Sequence, residues 1–489
     1  MQRITVLLLA VLMCSTVCLS ACYVDAEEVL QQPLQNEFME DYEPVFVEDL
    51  ADETLKLTPD IPPLSFDGAS FHVLHWDVAG GVGGPWIPWE EIAVLPDSAD
   101  ALEQQVYLRN AYVETMYDVR ITSEYAHVDT IPTLILTANR AGDSTYQMMA
   151  QRCNNLSSMW LQDVFYDLNG NDLPYIDLSK PWWNPSSVDN FTFGAKTQFA
   201  ASDMLLLDKG ASACVYFNAE LAQEHEITDL YDLARHGEWT WERMASYAQD
   251  IMSIEPETDD AVPYGVLGSI DLVAFLYTSS GCHMGTIEKG KYFSHQFDQP
   301  HSLEVMTDIY DDMYYVDYRS AEHGIEQFKA DQGLFMYGML KSSASLRDME
   351  SNYGVLPVPK YSEDQNRYYT LVWQHYDSII GVPNSCGDTE MVSAIVEALS
   401  AESFYTVYPM FYETVLLGSS ARDAASKEML RTIFSTRTYD IGMIYDPTTF
   451  AWKLWADVTS ETLPAHVAAF QDALDAATEQ FNEMVDRWN

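Results

Sequence analysis

The sequence predicts an α/β protein of two lobes, on three observations. Short apolar runs of strand character alternate with amphipathic helical segments through most of the chain. The foldable part, from about Phe66 to Asn489, is longer than one hydrophobic core usually spans. The chain ends in a helix whose apolar positions, Phe470, Leu474, Ala477, Phe481, Met484 and Trp488, recur at spacings of four and three.

The alternation begins at "SFHVLHW", Ser70 to Trp76, which reads as a strand and leads into the glycine-rich "DVAGGVGGP". In "DALEQQVYLRNAYVETMY", Leu102, Val106, Val113 and Tyr117 share one helical face, and "DVRITSEY" returns as a strand, giving a β-α-β unit. "PTLILT", "STYQMMAQRC", "VPYGVLG", "DLVAFLYTSSG", "GLFMYG", "NYGVLPVPK", "DSIIGVP" and "TEMVSAIVEALS" continue the order, with Gly281 placed as a helix C-cap. Such an order implies largely parallel sheets, whose ligand crevices lie at the carboxyl ends of the strands. Thr240 caps the helix that follows "GEWTW", and Trp239 and Trp241 are read as structural staples at its start.

The ends and the composition bound the compartment. A short basic start, an apolar run from Ile4 to Val17 and "LSAC" at Leu19 to Cys22 predict a lipoprotein signal peptide over residues 1–21. Cys22 is then the lipidation site, anchoring the chain to the outer face of the bacterial cytoplasmic membrane. Residues 22–65, acidic with scattered prolines and no sustained period, read as a disordered tether. The chain carries 75 Asp+Glu against 25 Lys+Arg, a formal net charge of −50 at pH 7, which repels phosphate backbones and makes nucleic acid a poor partner. Cys14 and Cys18 fall within the signal. Cys153, Cys214, Cys282 and Cys386 are widely separated, form no CxxC pair and read as buried small hydrophobes, with bridges left open.

No GxSxG elbow, HExxH helix, Walker A loop or Cys/His cluster occurs, and the GGVGG run lacks GxGxxG spacing, so no catalytic residue, metal or cofactor is expected. "DLNGNDLPYID" alternates Asp167, Asn169 and Asn171 like a calcium loop. It has Asp172 where the loop glycine belongs, so a turn is expected. His72 and His75 are three apart on a strand, on opposite faces, and cannot share a metal.

Several segments resemble the extracellular solute-binding proteins of ABC transporters, in particular the large carbohydrate-type group of Gram-positive anaerobes. These are "ALEQQVYLRNAYVETMYDVRI", "YIDLSKPWWN", "VYFNAELAQEHEITDLYDLARHGEWTWERM", "NYGVLPVPKYSEDQNRYY" and "DSIIGVP", in matching order. The resemblance implies a two-lobe periplasmic-binding-protein fold, a flytrap closing on a solute for an ABC permease, with no covalent chemistry. By its pattern the first lobe holds residues 66–200 and 373–425, and the second 201–372 and 426–489. The crossings fall near "TQFAASD" and "LVWQHYD", and the protein is expected to act as a monomer.

Sugars present apolar C–H faces and hydroxyl rims, so aromatic platforms beside polar side chains are the expected ligand contacts. Trp160 and Asp163 lie on one side of a turn and match a sugar-touching pair of the maltose-binding branch. Trp182, Trp183 and Asn184 in "PWWN" are expected near the cleft. Trp76 and Asp77 end the first strand; Trp373, Tyr376 and Asp377 lie on the second crossing; Tyr337 ends a strand where relatives carry an aromatic platform. A neutral sugar or oligosaccharide is the expected ligand. A secreted glycoside hydrolase or lyase, and a sensing lipoprotein that feeds no transporter, stand as alternatives.

Overall fold

The computed structural model describes residues 57–78, 87–253, 264–269, 271–288, 292–312, 316–318, 321–416, 424–446 and 448–488. The expected signal peptide, Cys22, most of the tether and most of the glycine-rich segment lie outside the described residues.

Strand β1 (Ala69–Asp77) pairs in parallel with β2 (Val119–His127) over its whole length, Ala69 opposite Val119 through Asp77 opposite His127. Helix α1 (Ala101–Tyr117) connects them, capped by Asp100, whose side chain accepts from the Leu102 and Glu103 amides. Its buried face holds the expected Leu102, Val106, Val113 and Tyr117, and adds Arg109 and Asn110. Arg109 is tolerated there because its guanidinium donates to the Met204, Glu91 and Ile92 carbonyls, Ser403 Oγ and Asn110 Oδ1. "PTLILT", an apolar run in the sequence, forms helix α2 (Ile131–Ala141), burying Ile131, Ile135 and Ala138 at helical spacing. Gly142, at φ 65, ends it. β3 (Met148–Gln151) then joins the free side of β1.

Two short strands, β4 (Phe199–Ala200) and β10 (Ile379–Gly381), complete the first sheet in the order β2-β1-β3-β10-β4. The second sheet has the order β7-β6-β8-β5-β9, built from β5 (Ala213–Asn218), β6 (Tyr264–Gly268), β7 (Val316–Tyr318), β8 (Gly333–Met339) and β9 (Tyr353–Leu356). The sheets are mixed rather than largely parallel. β10 runs antiparallel to β3 and β4, and β5 antiparallel to β8 and β9. The antiparallel strands flank the passages between sheets, where the chain enters from the opposite end and needs no covering crossover helix.

Three such passages lie side by side. Ser212 bridges Val372, the Trp373 amide donates to the Ala211 carbonyl at 2.9 Å, and Thr370–Leu371 pairs in parallel with Arg437–Thr438. The second of these falls within "LVWQHYD"; the first lies about eight residues past "TQFAASD", and the third, at Arg437–Thr438, was not anticipated. A buried ion cluster joins the first to the third. Asp208 accepts from Lys209 Nζ at 2.9 Å and from Arg437 Nη1 at 3.0 Å, and Lys209 also reaches Asp203 at 3.1 Å.

Around the second sheet, α3 (Trp241–Met252) starts at the Thr240 cap, and the flanking indoles donate to the Pro357 and Pro359 carbonyls, as staples would. α4 (Leu272–Ser279) ends at Gly281, φ 85. α5 (Thr389–Tyr405) packs on α1. The terminal helix α6 (Leu463–Trp488) buries Val467 and Leu474 with the second lobe's core. Its last turns, through Ala477, Phe481, Met484 and Val485, instead pack with Leu74, Trp76 and Trp160 of the first lobe. That part of the 426–489 assignment is corrected: α6 is long enough to reach past its own lobe. Cys153, Cys214, Cys282 and Cys386 are all buried free thiols. No described helix is long and apolar enough to cross a membrane, and no group of three or more His, Cys, Asp or Glu among the described residues could hold a metal ion.

Replacing Asp208 with Ala takes from the buried Arg437 the carboxylate that holds it and leaves Lys209 with Asp203; breaking a buried pair costs about 3–5 kcal/mol. Urea unfolding of Asp208→Ala is expected to show a loss of that size at an unchanged m-value.

Candidate functional site

The paired tryptophans belong to the core. Trp182 and Trp183 are buried, and both indole N–H groups donate at 2.9 Å to one carboxylate, that of Glu397 on α5, one to each oxygen. Neighbouring side chains converge in this way because the backbone turns there: the Trp183 amide donates to the Lys180 carbonyl, and Trp183 bridges Ser202. The expectation that either ring faces a ligand is therefore corrected. Asn184 caps the helix Pro185–Phe191, its side chain accepting from the Ser187 amide. Trp160 is sealed among Phe191, Phe193, Phe199 and Phe481. Asp163, at φ 50, turns outward to Lys196 at 3.0 Å and accepts from Gln198. These five residues hold the first lobe together and do not form a cleft.

The other expected residues meet at the hinge. Trp76 ends β1 and donates from Nε1 to Ser378 Oγ at 2.7 Å, just past the second crossing, and Asp77 follows it at the strand's end. Residues after β3 reach the same crossing. The Cys153 amide donates to Asp377 Oδ1 at 2.8 Å, the Asn154 amide donates to the Gln374 carbonyl, and Asn154 Nδ2 lies 3.1 Å from His375 Nδ1. Arg152 lies with its guanidinium carbon 5.9 Å from the centre of the Trp76 ring. From the second lobe, Phe275 packs edge-on against Trp373 at 5.8 Å, and Lys341 Nζ lies 3.8 Å from the centre of the Tyr376 ring. Tyr337, at the end of β8, lines a small cavity with Asp271, Phe275, Met336 and Ser342. Trp76, Tyr337, Trp373, Tyr376 and Asp377 thus lie around the second crossing, but Trp76, Trp373, Asp377 and Tyr337 are buried like Trp160, so the expectation that they face a ligand is corrected for them; Tyr376 and, at the end of β1, Asp77 stay partly exposed.

Arg152, Asn154, Asp271, His375 and Lys341 share this region and were missed. The signal available was position: Arg152 and Asn154 follow β3, and Asp271 and Lys341 follow β6 and β8, at the carboxyl ends where α/β crevices form. Sequence reading looked there for rings and passed over the charges.

Burial removes much of that charge. Lys341 is pushed down to about 7 by burial, with Asp271 opposing the shift, and Asp271 is itself pushed up to about 6 by burial. Burial raises Asp377 to about 7, although the Cys153 N–H favours its ionised form. It also lowers His375 to about 4, helped by Arg152. Near pH 7 this leaves His375 neutral, Lys341 and Asp377 part-charged and Asp271 mostly ionised, so the hinge carries far less net charge than the −50 of the chain as a whole. Rings, hydroxyls and polar groups of low net charge suit an uncharged, hydroxyl-bearing ligand.

Solved structures share this architecture. The ABC substrate-binding protein Lmo0181 of Listeria monocytogenes, in complex with cycloalternan, superposes with TM-score 0.52 at 12% identity, over 86% of this chain and 100% of that one. The fold is that of the two-lobe solute-binding proteins. The maltose-binding protein MalE of Listeria monocytogenes, in complex with maltose, gives 0.53 at 12% identity over 86% of this chain and 99% of that one. The cyclic alpha-maltosyl-1,6-maltose binding protein of Arthrobacter globiformis gives 0.53 at 15% identity over 86% and 100%. No protein-family model and no curated protein matches the sequence.

Two predictions follow from the buried carboxyls. Trp182→Phe leaves one Glu397 oxygen without its donor in the core, expected to cost about 1–3 kcal/mol in denaturant unfolding. Glu397, Asp377 and Asp271, raised to about 7, 7 and 6, bind protons more tightly folded than unfolded. Their contribution is full below the unfolded carboxyl values, about pH 4, and is lost as pH rises through the folded ones, so melting temperature should fall between about pH 4 and about pH 7 and level off above. Glu397→Gln should flatten that fall in a melting series.

Proposed function

We propose that this protein is an exported receptor that binds a neutral sugar or oligosaccharide between its lobes and hands it intact to an ABC permease. The observation that carries the reading is the partly exposed Tyr376 ring on the second crossing, approached by Lys341 from the second sheet and backed by the buried Trp76, Trp373 and Tyr337. Motion of one lobe about that crossing changes what faces the ring, and a solute bound by both lobes shifts the population towards the closed form. The sugar complexes of the similar structures support the ligand class. The lobes divide as 66–200 with 373–425, and 201–372 with 426–489, α6 reaching back to the first. The molecule acts as a monomer, and the cycle makes and breaks no covalent bond.

Calorimetric titration and thermal melting against maltose, maltotetraose and cyclic maltodextrins test the reading. Binding with a raised melting temperature and unchanged saccharide is expected; hydrolysis products, or no binding across neutral saccharides, would refute it. Tyr376→Ala should weaken affinity by about 1–3 kcal/mol, as loss of a central interface aromatic does, whereas Trp160→Phe should leave it unchanged.

The export reading rests on the first 22 residues. Cys22 carries the lipid and the acidic stretch after it holds the body off the membrane; its expected end at residue 65 is corrected, because the Leu57 amide donates to the Tyr405 hydroxyl and Ile61 and Leu64 pack on the core. Cys22→Ala is expected to release the protein into the medium, and mass spectrometry of the mature N-terminus should show a diacylglyceryl cysteine.

A further inference from the structure

We propose that Lys341 is a built-in latch that occupies the ring face of Tyr376, and that a saccharide must displace it to stack there. The inference rests on the saccharide reading above.

The geometry ties Lys341 to three parts of the hinge at once. It follows β8 in a short helical turn, Leu340–Ala344, whose first amide donates to the Ser212 carbonyl on the first crossing at 3.0 Å. Its Cβ sits 3.2 Å from the place a Cβ on Gly210 would take, so glycine at 210 is what lets the lysine stem pass beneath the helix Leu207–Gly210. Its amine then lies 3.8 Å from the centre of the Tyr376 ring on the second crossing, closer than the other cation–ring contacts described. Only 5% of the residue is exposed.

A cation held over an aromatic face in a desolvated site is favourable, and it uses the same face a pyranose would need. The two occupants are mutually exclusive on that face. The ligand-free protein therefore spends part of its population covered, and the apparent affinity is reduced by the fraction that is open. Asp271, beside Lys341 at the end of β6, offers the displaced ammonium a counter-charge, and burial, which lowers the amine towards neutrality, eases the exchange. Arg152 stands over Trp76 in a similar way but at 5.9 Å, a looser contact.

Two measurements test the latch. In the ligand-free protein labelled with ¹³C-lysine, the Lys341 Cε resonance, assigned by its loss in Lys341→Met, should carry an upfield ring-current shift that Tyr376→Leu abolishes. An unshifted resonance would overturn the proposal. In calorimetric titration with maltotetraose, Lys341→Met should bind about tenfold more tightly than the wild type, as removal of a cover implies. Lys341→Arg, which keeps a cation over the ring, should show no such gain. Binding by the wild type with equal or weaker affinity in Lys341→Met overturns the latch alone. Binding by Lys341→Met where the wild type binds undetectably supports it. Failure of both to bind any neutral saccharide overturns the receptor reading and the latch with it.

Discussion

A chain that passes back and forth between two sheets must carry peptide groups through its interior without leaving them unpaired, and this constraint organises the molecule. The three passages meet it by pairing with one another, Ala211–Ser212 beside Val372–Trp373 and Thr370–Leu371 beside Arg437–Thr438. Charge follows the same logic. Lys209 and Arg437 are both buried, and each is held by Asp208, so the joint is an ion-paired hub and not a flexible linker. The hub sits where strands of both sheets begin or end, and the arrangement of the site follows from it.

Because β1 and β3 end at the hinge from one side and β6 and β8 from the other, the residues just past them are forced together. Trp76, Arg152, Asn154, Asp271, Tyr337 and Lys341 are distant in sequence and adjacent in space for that reason. Burial then shifts their charge: Lys341 and Asp377 titrate at about pH 7 and Asp271 at about pH 6, in a protein that is strongly acidic overall. On the proposed reading, a long-range negative field would keep the molecule soluble and apart from other anions, while the hinge favours an uncharged solute.

The core of the first lobe uses aromatic rings in a different way. Glu397 accepts both Trp182 and Trp183, so one buried carboxyl accounts for two adjacent indoles that no regular backbone could hide together. Trp160 stands in a ring of phenylalanines that includes Phe481 from the terminal helix, and α6 is fastened across the lobes by this contact.

By itself the sequence determined what short-range patterning can determine. Period and caps gave the α/β class, the β-α-β start, the face of α1, the Thr240 cap and the Gly281 terminus. It also placed aromatic residues at strand ends, where Trp76 and Tyr337 do reach the hinge. Tertiary structure alone decided that Trp160, Trp182 and Trp183, like Trp76 and Trp373, are core while Tyr376 stays partly exposed, since their local composition is the same. Partners more than two hundred residues away, Glu397 for the paired indoles and Phe481 for Trp160, made that decision. The sense of the strands beside the crossings and the descent of Lys341 onto Tyr376 were likewise illegible, because each depends on where a distant segment comes to rest and not on the residues that flank it.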